Sequence, residues 1–363
     1  MKETRCICKV ITPMFMTGAD GRTPELRPSE FKGMMRFWWR AIKAEDKIDK
    51  LQKEEAKLFG GTGNGERKSK ISIKVIYNSK ELEEKFIGEN IKNEFIKSKN
   101  YGLAYLFYST FSLKARGEPV IRKYIKPDFP FQINFSSFDE KTLKEALASF
   151  WLSVYLGGFG TRARRGGGNI SIEKVEGNTF TIDFIPEGAS TKGELWRWFV
   201  KNVNRVKETI PTGTLCRKYS NLKEAFVFIL DCKPYWTEAL NFIGNEYKSF
   251  REKKKSDVWR TPAFGMPVMH RRFRKFRERF VPYKGNRRLS ERRSSPLIFK
   301  VIKAENLYFP IIVKLSGDIV YDGGIGREER QDKWSLISKR SIDDSILDEF
   351  LNSLKDKVEV KIE

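Results

Sequence analysis

The chain has 363 residues, which is enough for two domains of ordinary size, and 40% of them are hydrophobic, including 28 Phe and 8 Trp, which excludes a disordered tail. The 70 Lys and Arg outnumber the 47 Asp and Glu and give a net charge of +23, which predicts a polyanionic partner, with nucleic acid favoured over a membrane surface. No apolar run approaches the roughly 18 residues that span a bilayer, and the first residues lack a signal peptide's apolar core.

The first half of the chain predicts the order β-α-β, an insertion, and then β-α-β again. Alternating apolar residues predict strands at 5–12, 71–75, 129–135 and 169–175. Helical spacing predicts one long helix from residue 29 to about 58 and another over 139–155 with Asp139 as its N-cap. Residues 80–99 are weakly helical, and 101–111 predict a buried strand. This order is that of ferredoxin-like domains, which RNA-recognition modules share, although the strand-borne aromatic signature of those modules is absent.

The second half predicts a less regular α+β unit. The pattern breaks near residues 186–193, so we divide the chain into an N-terminal ferredoxin-like domain, 1–188, and a diverged C-terminal one, 189–363. Helices are predicted at 194–206, 236–250 and 342–354, and strands at 225–230, 297–302, 309–313 and 358–362. The predicted fold class is therefore α+β, with tandem ferredoxin-like domains and a helical and basic insertion.

A glycine-rich loop joins the 139–155 helix to the following strand. Residues 156–169 contain six glycines, three arginines and no acid. Bare backbone N–H groups, including those of Gly166 and Gly167, can bind anions, and Arg162, Arg164 and Arg165 can donate to phosphates. A dinucleotide-binding turn is excluded because the helix precedes the loop here, and a solvated turn is the plainer alternative.

The first long helix carries a basic stripe that includes Lys32, Arg36 and Arg40 beside an apolar stripe that includes Trp38. Trp39 lies near the basic side, where a base could stack on its ring while the guanidinium groups take phosphates. A solvated basic face is an equally good interpretation of the stripe alone. We expect this helix, with Trp38 and Trp39 among its RNA contacts, and the glycine-rich loop to form one RNA surface, with a groove between them.

Residues 271–293 are the most basic part of the chain, with eleven Lys or Arg, two acids and interleaved Phe and Tyr. This composition favours an arm or helix that becomes ordered on RNA over a disordered tail. The candidate phosphate contacts in this segment are Arg271, Arg272, Arg274, Arg277 and Arg293.

Catalytic and metal chemistry have weak support. His270 is the only histidine, so histidine triads and histidine-rich metal sites are excluded. It could be the general base of a metal-free RNA cleaver, but packing or stacking is the commoner role for a lone histidine. The acids show no metal-ligand spacing, and Cys6, Cys8, Cys216 and Cys232 show no paired spacing, which predicts reduced cytosolic thiols and no cofactor.

Several motifs together resemble the RAMP superfamily, specifically the first subunits of type III-B CRISPR (Cmr) effector complexes. They are Thr12-Pro13, Glu25-x-Arg27, Ser29-x-x-Lys32-Gly33-x-x-Arg36-Phe37-Trp38-Trp39-Arg40-Ala41, Leu58-Phe59-Gly60, the glycine-rich loop and Arg293-Ser294-Ser295-Pro296-Leu297. They run from residue 12 to 297, with few between 190 and 290, and Met34 and Met35 depart from the commoner smaller or Leu residues.

The resemblance implies a tandem ferredoxin-like fold and a cytoplasmic ribonucleoprotein that degrades foreign RNA by guide pairing. The subunit would lie near the guide's 3′ region, beside another RAMP subunit, without cutting RNA itself. Two hypotheses follow: a non-catalytic subunit that contacts guide RNA and single-stranded target RNA, or a metal-independent endoribonuclease that processes guide RNA with His270. The resemblance adds Arg27 to the predicted RNA contacts.

Overall fold

The computed structural model describes residues 1–61, 68–110, 113–115, 118–120, 122–213, 216–272, 275–289, 292–330 and 333–362. At residues 92, 109, 113–115, 118–120, 270–272 and 275–277 it describes the backbone alone.

The described strands, in chain order, are β1 (Lys2–Val10), β2 (Ser72–Ile76), β3 (Ile87–Gly88), β4 (Leu113–Ala115), β5 (Glu118–Val120), β6 (Tyr124–Ile125), β7 (Pro130–Ser137), β8 (Ile170–Gly177), β9 (Asn221–Ile229), β10 (Val268–Arg272), β11 (Lys275–Lys284), β12 (Arg287–Arg288), β13 (Leu297–Ala304), β14 (Leu307–Ser316), β15 (Gly324–Arg330), β16 (Trp334–Arg340) and β17 (Val358–Ile362). The α-helices are α1 (Pro28–Lys43), α2 (Ile48–Phe59), α3 (Ser79–Glu81), α4 (Ile91–Lys97), α5 (Tyr101–Leu106), α6 (Glu140–Tyr155), α7 (Lys192–Thr209), α8 (Trp236–Lys253) and α9 (Ser345–Ser353). A π-helix follows α3 at Leu82–Phe86, and 3-10 turns lie at Tyr108–Thr110 and Thr261–Phe264.

The first sheet has the strand order β2-β7-β1-β8, and every pairing in it is antiparallel. Along β1 every second residue is buried, so Cys6, Cys8 and Val10 face the core. The helices α1 and α6 pack against each other and against this sheet. Asp139 accepts the Lys141 N–H at 3.2 Å and begins α6, as predicted. The α+β class and the strands predicted at 5–12, 71–75, 129–135 and 169–175 are confirmed.

A second antiparallel sheet has the order β13-β14-β9-β17. Its chain order, β9-α8-β13-β14-α9-β17, repeats the β-α-β-β-α-β order of the first half, with the 268–288 strands inserted after α8. The two sheets share one hydrophobic core: Phe31 and Trp151 from the first half belong to the same buried cluster as Leu222 and Ile311 from the second. Helix α1 therefore packs against β9 as well as α6.

A third sheet, β10-β11-β15-β16 with β12 on β11, contains much of the basic segment. The prediction of an arm or helix at 271–293 is therefore wrong for the strand residues; residues 273–274 and 290–291 lie outside the described ranges. Phe280 is fully buried against Met266 and Ile325. Glu328 is buried and accepts from Arg279 at 2.5 Å and from the Tyr283 hydroxyl at 2.8 Å. A buried acid thus pairs Arg279 of this sheet.

The single long helix predicted from residue 29 to 58 is two helices. Ala44 ends α1 in the left-handed conformation, with φ of 46°, and α2 begins at Ile48. In the turn between them, the Glu45 carboxylate accepts from the Lys47 N–H at 3.0 Å and from the Lys50 ammonium at 2.5 Å. The turn folds α2 back, so its acidic side meets the basic stripe of α1.

Residues 101–111 were predicted to be a buried strand, and this is wrong. Residues 101–106 form α5, and residues 108–110 form a 3-10 turn. Gly102 of α5 lies so close to Gly244 of α8 that a Cβ on Gly102 would stand 2.6 Å from the Asn245 nitrogen. The two glycines let the helices pack backbone to backbone, an arrangement that the apolar run 103–107 does not reveal.

Candidate nucleic-acid interface

The glycine-rich loop is a junction between the two halves of the chain. Its backbone pairs with β13: the Phe299 N–H donates to the Arg164 carbonyl at 3.2 Å, and Arg164 donates from its side chain to the Ser295 carbonyl at 2.6 Å. Arg165 donates to the Leu297 carbonyl at 3.0 Å. The loop therefore binds the second half of the chain through its arginines.

The loop's N–H groups are largely used inside the protein, which contradicts the prediction of an open anion-binding backbone. The N–H of Thr161 donates to Phe15 at 2.9 Å, that of Gly167 to Arg162 at 3.1 Å, and that of Gly168 to Pro13 at 3.0 Å. Gly166 and Gly167 are buried, and a Cβ on Gly166 would lie 2.5 Å from Leu240. The glycines are needed for packing. The Gly167 N–H is already used, which contradicts the RNA contact predicted for it, and the contact predicted for Gly166 stays a prediction.

A buried lysine joins the end of α6 to this loop. Lys300 of β13 is 0% exposed, and its ammonium donates to the carbonyls of Val154 and Gly157, the latter at 3.0 Å. Burial lowers the pKa of Lys300 to about 7. Asn169 completes the link, because its side-chain oxygen accepts the Val301 N–H at 2.8 Å.

Beside this junction lies a cleft of about 640 Å³ that we call the arginine cleft. Its walls come from α5, the glycine-rich loop, α8 and the segment 264–269 with 292–294. None of the described residues that line it is Asp or Glu, and five of them are arginines: Arg162, Arg165, Arg251, Arg292 and Arg293. Aromatic side chains share the walls: Tyr105, Tyr108, Tyr247 and Phe264. Single-stranded nucleic acid binds to surfaces that combine cations, which contact its phosphates, with aromatic rings, which stack on its bases.

Neutral groups position the cleft's guanidinium groups. Arg162 donates to the Leu106 carbonyl through Nε at 2.9 Å and through a second nitrogen. Arg251 donates to the Tyr247 hydroxyl at 3.2 Å, and its guanidinium lies 5.2 Å from the Phe264 ring centre. Among the described residues, no carboxylate lies within 4.0 Å of Arg162, Arg165 or Arg251. These arginines are therefore oriented but not neutralised.

Burial and the charge of Arg165 disfavour the charged forms of two arginines of the glycine-rich loop, Arg162 in the cleft and Arg164 beside it. Desolvation, followed by the nearby charge of Arg165, lowers the pKa of Arg162 to about 10, and the same two causes lower that of Arg164 to about 10. Both groups stay charged at neutral pH. An anion in the cleft would offset both penalties, which is how a preorganised phosphate site gains affinity.

The basic stripe of α1 is paired instead with α2. Glu55 is 4% exposed and accepts from Arg40 at 2.7 Å and from Arg36, which also donates to the Gly60 carbonyl at 3.2 Å. Burial lowers the pKa of Lys32, with the charge of Arg36 as a second cause. Arg36 and Arg40 line a separate cleft with Phe37, Gln52 and Tyr219. Their charge is partly neutralised, in contrast to that of the arginine cleft.

Trp38 and Trp39 are 0% and 2% exposed. The Trp39 indole N–H donates to Glu145 of α6 at 3.1 Å, and Trp38 lies against Gly157. The base stacking predicted for Trp39 and the RNA contact predicted for Trp38 are therefore wrong, because both rings are core. The expected groove between α1 and the loop is also wrong: Arg164 lies 5.4 Å from the Phe37 ring centre and closes that space, while Arg162 and Arg165 line the arginine cleft.

The remaining predicted contacts are dispersed. Arg27 is the half-buried N-cap residue of α1, and Arg293 pairs with Met266 as a backbone bridge at the cleft. Arg271 and Arg272 belong to β10 and Arg277 to β11, with side chains outside the described residues, and Arg274 lies wholly outside them. The structure thus brings together Arg162, Arg165 and Arg293 from the predicted set.

Six further cationic or aromatic residues of the cleft were absent from the predicted site; they are Tyr105, Tyr108, Tyr247, Arg251, Phe264 and Arg292. Tyr105 and Tyr108 lie in the segment whose predicted strand is wrong. Tyr101, Tyr105 and Tyr108 recur at spacings of four and three residues, which is helical, so this spacing was a usable signal.

No described helix is long and apolar enough to cross a membrane. Within the described ranges, no group of three or more His, Cys, Asp or Glu is arranged to hold a metal ion.

Comparisons with known proteins identify the family. The RAMP superfamily model matches residues 7–173. The CRISPR system Cmr subunit Cmr1-1 of Pyrococcus furiosus is 30% identical over 303 residues, which cover 80% of each chain. Subunit Cmr1-2 of the same organism is 34% identical over 179 residues, 46% of this chain and 93% of that one.

Solved structures share the fold. The apo crystal structure of Cmr1 from Pyrococcus furiosus has a TM-score of 0.62 at 22% identity and covers 100% of this chain and 99% of that one. A chain of the type III-B Cmr-beta complex bound to cognate target RNA has a TM-score of 0.56 at 14% identity, with 97% and 99% covered. The chain therefore belongs to the RAMP superfamily, and within it to the Cmr1 family of type III-B CRISPR systems, which confirms the resemblance in its motifs.

Proposed function

We propose that this chain is a non-catalytic RNA-binding subunit of a type III-B Cmr ribonucleoprotein that targets foreign RNA. The observation that carries the proposal is the arginine cleft, where five arginines and four aromatic rings converge and no Asp or Glu is found among the described lining residues. Phosphates would bind the guanidinium groups, and bases would contact the rings. No base-reading signature accompanies the cleft, so binding tolerates changes of RNA sequence.

The family supplies the context of this proposal. The similar Pyrococcus furiosus proteins are Cmr subunits, and a structurally similar chain occurs in a Cmr-beta complex bound to target RNA. We infer that the partners here are guide RNA, single-stranded target RNA and other Cmr subunits, including a neighbouring RAMP subunit. As the motif resemblance implies, the subunit lies near the 3′ region of the guide, in the cytoplasm.

We infer further that the fold is a pair of ferredoxin-like domains, 1–188 and 189–363. The support is topological: each main sheet places its four strands in the order second, third, first, fourth, with all neighbours antiparallel. This is the order that a β-α-β-β-α-β unit produces when both helices cross one face of the sheet.

The test is binding of a fluorescein-labelled single-stranded RNA to the purified chain by anisotropy. Arg292→Ala removes an exposed cleft arginine, and Arg251→Gln removes a guanidinium held against Tyr247. Arg197→Ala removes an exposed arginine of α7 that is not part of the cleft and serves as the matched control. Both cleft variants should weaken binding by about fivefold or more while Arg197→Ala binds normally. Equal affinities for all four proteins would refute the cleft as the RNA site.

The same samples distinguish the enzyme hypothesis. The RNA is recovered after incubation in EDTA and resolved on a denaturing gel, for the unmodified chain and for His270→Ala. Intact RNA with both proteins is the expected result. Cleavage by the unmodified chain that His270→Ala abolishes would make the chain a metal-independent endoribonuclease.

A further inference from the structure

Tyr108 is an exposed aromatic side chain at the mouth of the arginine cleft. It is 63% exposed, in a protein whose largest aromatic side chains are mostly buried. Its ring centre lies 5.1 Å from the Arg162 guanidinium carbon. One side of the ring therefore carries a cation, and the rest faces solvent.

The backbone that holds Tyr108 is firmly anchored. Its neighbours Leu106 and Phe107 are buried, and the Phe107 ring packs 5.9 Å from Phe15 and 5.8 Å from Phe95. Thr110 donates from its hydroxyl to the Phe107 carbonyl at 2.7 Å and closes the 3-10 turn. An exposed ring on a buried turn loses little conformational entropy on binding.

Arg162 couples this turn to the cleft. Its Nε donates to the Leu106 carbonyl, two residues before Tyr108. This bond fixes the position of the guanidinium relative to the Tyr108 ring. Because its hydrogen-bond partner is a neutral carbonyl, Arg162 keeps its full charge beside the ring. A stacking surface and a phosphate donor thus stand side by side, with 5.1 Å between the ring centre and the guanidinium carbon.

We propose that Tyr108 and Arg162 form a single-nucleotide site, in which an unpaired base stacks on the open face of Tyr108 and its phosphate binds Arg162. The proposal deepens the RNA-binding role above and rests on it. The site takes any of the four bases, because stacking uses the π-face and not the hydrogen-bonding edge. It thereby orients the strand as it enters the cleft.

The test compares two probes of equal length and charge: a single-stranded RNA, and the same backbone with abasic residues throughout. The variants are Tyr108→Ala, Tyr108→Phe, which keeps the ring, and Tyr235→Ala as the matched control. Tyr235 is also 63% exposed and precedes α8, whereas Arg251 lies near the other end of that helix, about 24 Å away at 1.5 Å per residue.

Tyr108→Ala should weaken RNA binding about five- to hundredfold and leave the abasic probe unaffected, while Tyr108→Phe and Tyr235→Ala bind both probes normally. Equal losses for both probes would show that Tyr108 acts only by positioning Arg162, and no loss for either would remove it from the site; both outcomes overturn the proposal. The proposed function is tested separately, because Arg292→Ala should weaken binding of both probes whether or not Tyr108 stacks on a base.

Discussion

The ammonium of Lys300 lies 3.0 Å from the carbonyl oxygen of Gly157. Lys300 belongs to β13 in the second half of the chain, whereas Gly157 belongs to the glycine-rich loop of the first half. The contact is fully buried and involves no acid. It links the two halves at the start of the glycine-rich loop, so changes at Lys300 should alter stability.

The first prediction concerns the pH dependence of Lys300→Met. The pKa of this lysine falls from an ordinary 10.5 to about 7 in the folded protein, so between these values the unfolded chain binds more protons. Stability of the unmodified chain should therefore rise with pH across that window. Measured by urea unfolding, its stability relative to Lys300→Met should improve by about 2 kcal/mol from pH 7 to pH 9. A difference independent of pH would mean that the ammonium keeps its usual pKa.

A second prediction concerns Gly168→Ala. Gly168 has φ of 62°, and an added Cβ would collide with the Phe159 carbonyl oxygen. Gly188 has φ of 70° with open space around it, so Gly188→Ala isolates the conformational cost, about 1 kcal/mol. Gly168→Ala should cost at least about 3 kcal/mol by chemical denaturation, because the clash is with backbone. If both variants lost the same stability, the loop would have room to relax.

The third prediction concerns Trp39→Phe. The smaller ring loses the hydrogen bond to Glu145 and leaves space in a fully packed core, which should cost about 1–3 kcal/mol in unfolding free energy. RNA affinity should stay within twofold, since the indole has no surface to offer. Trp196→Phe, where the ring is only partly buried, should cost less. A large affinity loss at unchanged stability would restore the stacking role.

The fourth prediction is the response to salt. Affinity for single-stranded RNA should fall steeply between roughly 50 and 200 mM salt, because phosphate contacts release counterions. Arg292→Ala should lower the slope of log affinity against log salt by about one unit, and Arg197→Ala should not change it. An affinity that is insensitive to salt would contradict phosphate binding as the main source of affinity.

Sequence patterns predicted the strands and helices that bury one face and expose the other. Strand β1 alternates cleanly, and α6 begins at an Asp N-cap, so both could be read from the residues alone. Strand β15 escaped notice because its buried positions include Glu328, which looks solvent-exposed until Arg279 is known to face it. The break after α1 was equally invisible, since alanine carries no signal for a left-handed turn.

The site was partly predictable for the same reason. Arg162, Arg165 and Arg293 stood out by local composition, but the partners that give them a function come from distant segments. Trp39 was misassigned because the residue that satisfies its indole, Glu145, is 106 positions away. Local charge shows which side chains are cationic; tertiary contacts decide which of them stay unpaired.

The glycine-rich loop also delays the completion of folding during synthesis. The side-chain oxygen of Asn169 can accept the Val301 N–H only after Val301, 132 residues later, has been synthesised. At a synthesis rate of roughly 5–20 residues per second, this is a delay of about 7–26 s after the loop itself has been made. The first half thus leaves the ribosome with its central loop unfinished. Although the two sheets repeat one topology, they mature as a single unit, completed only when β13 arrives.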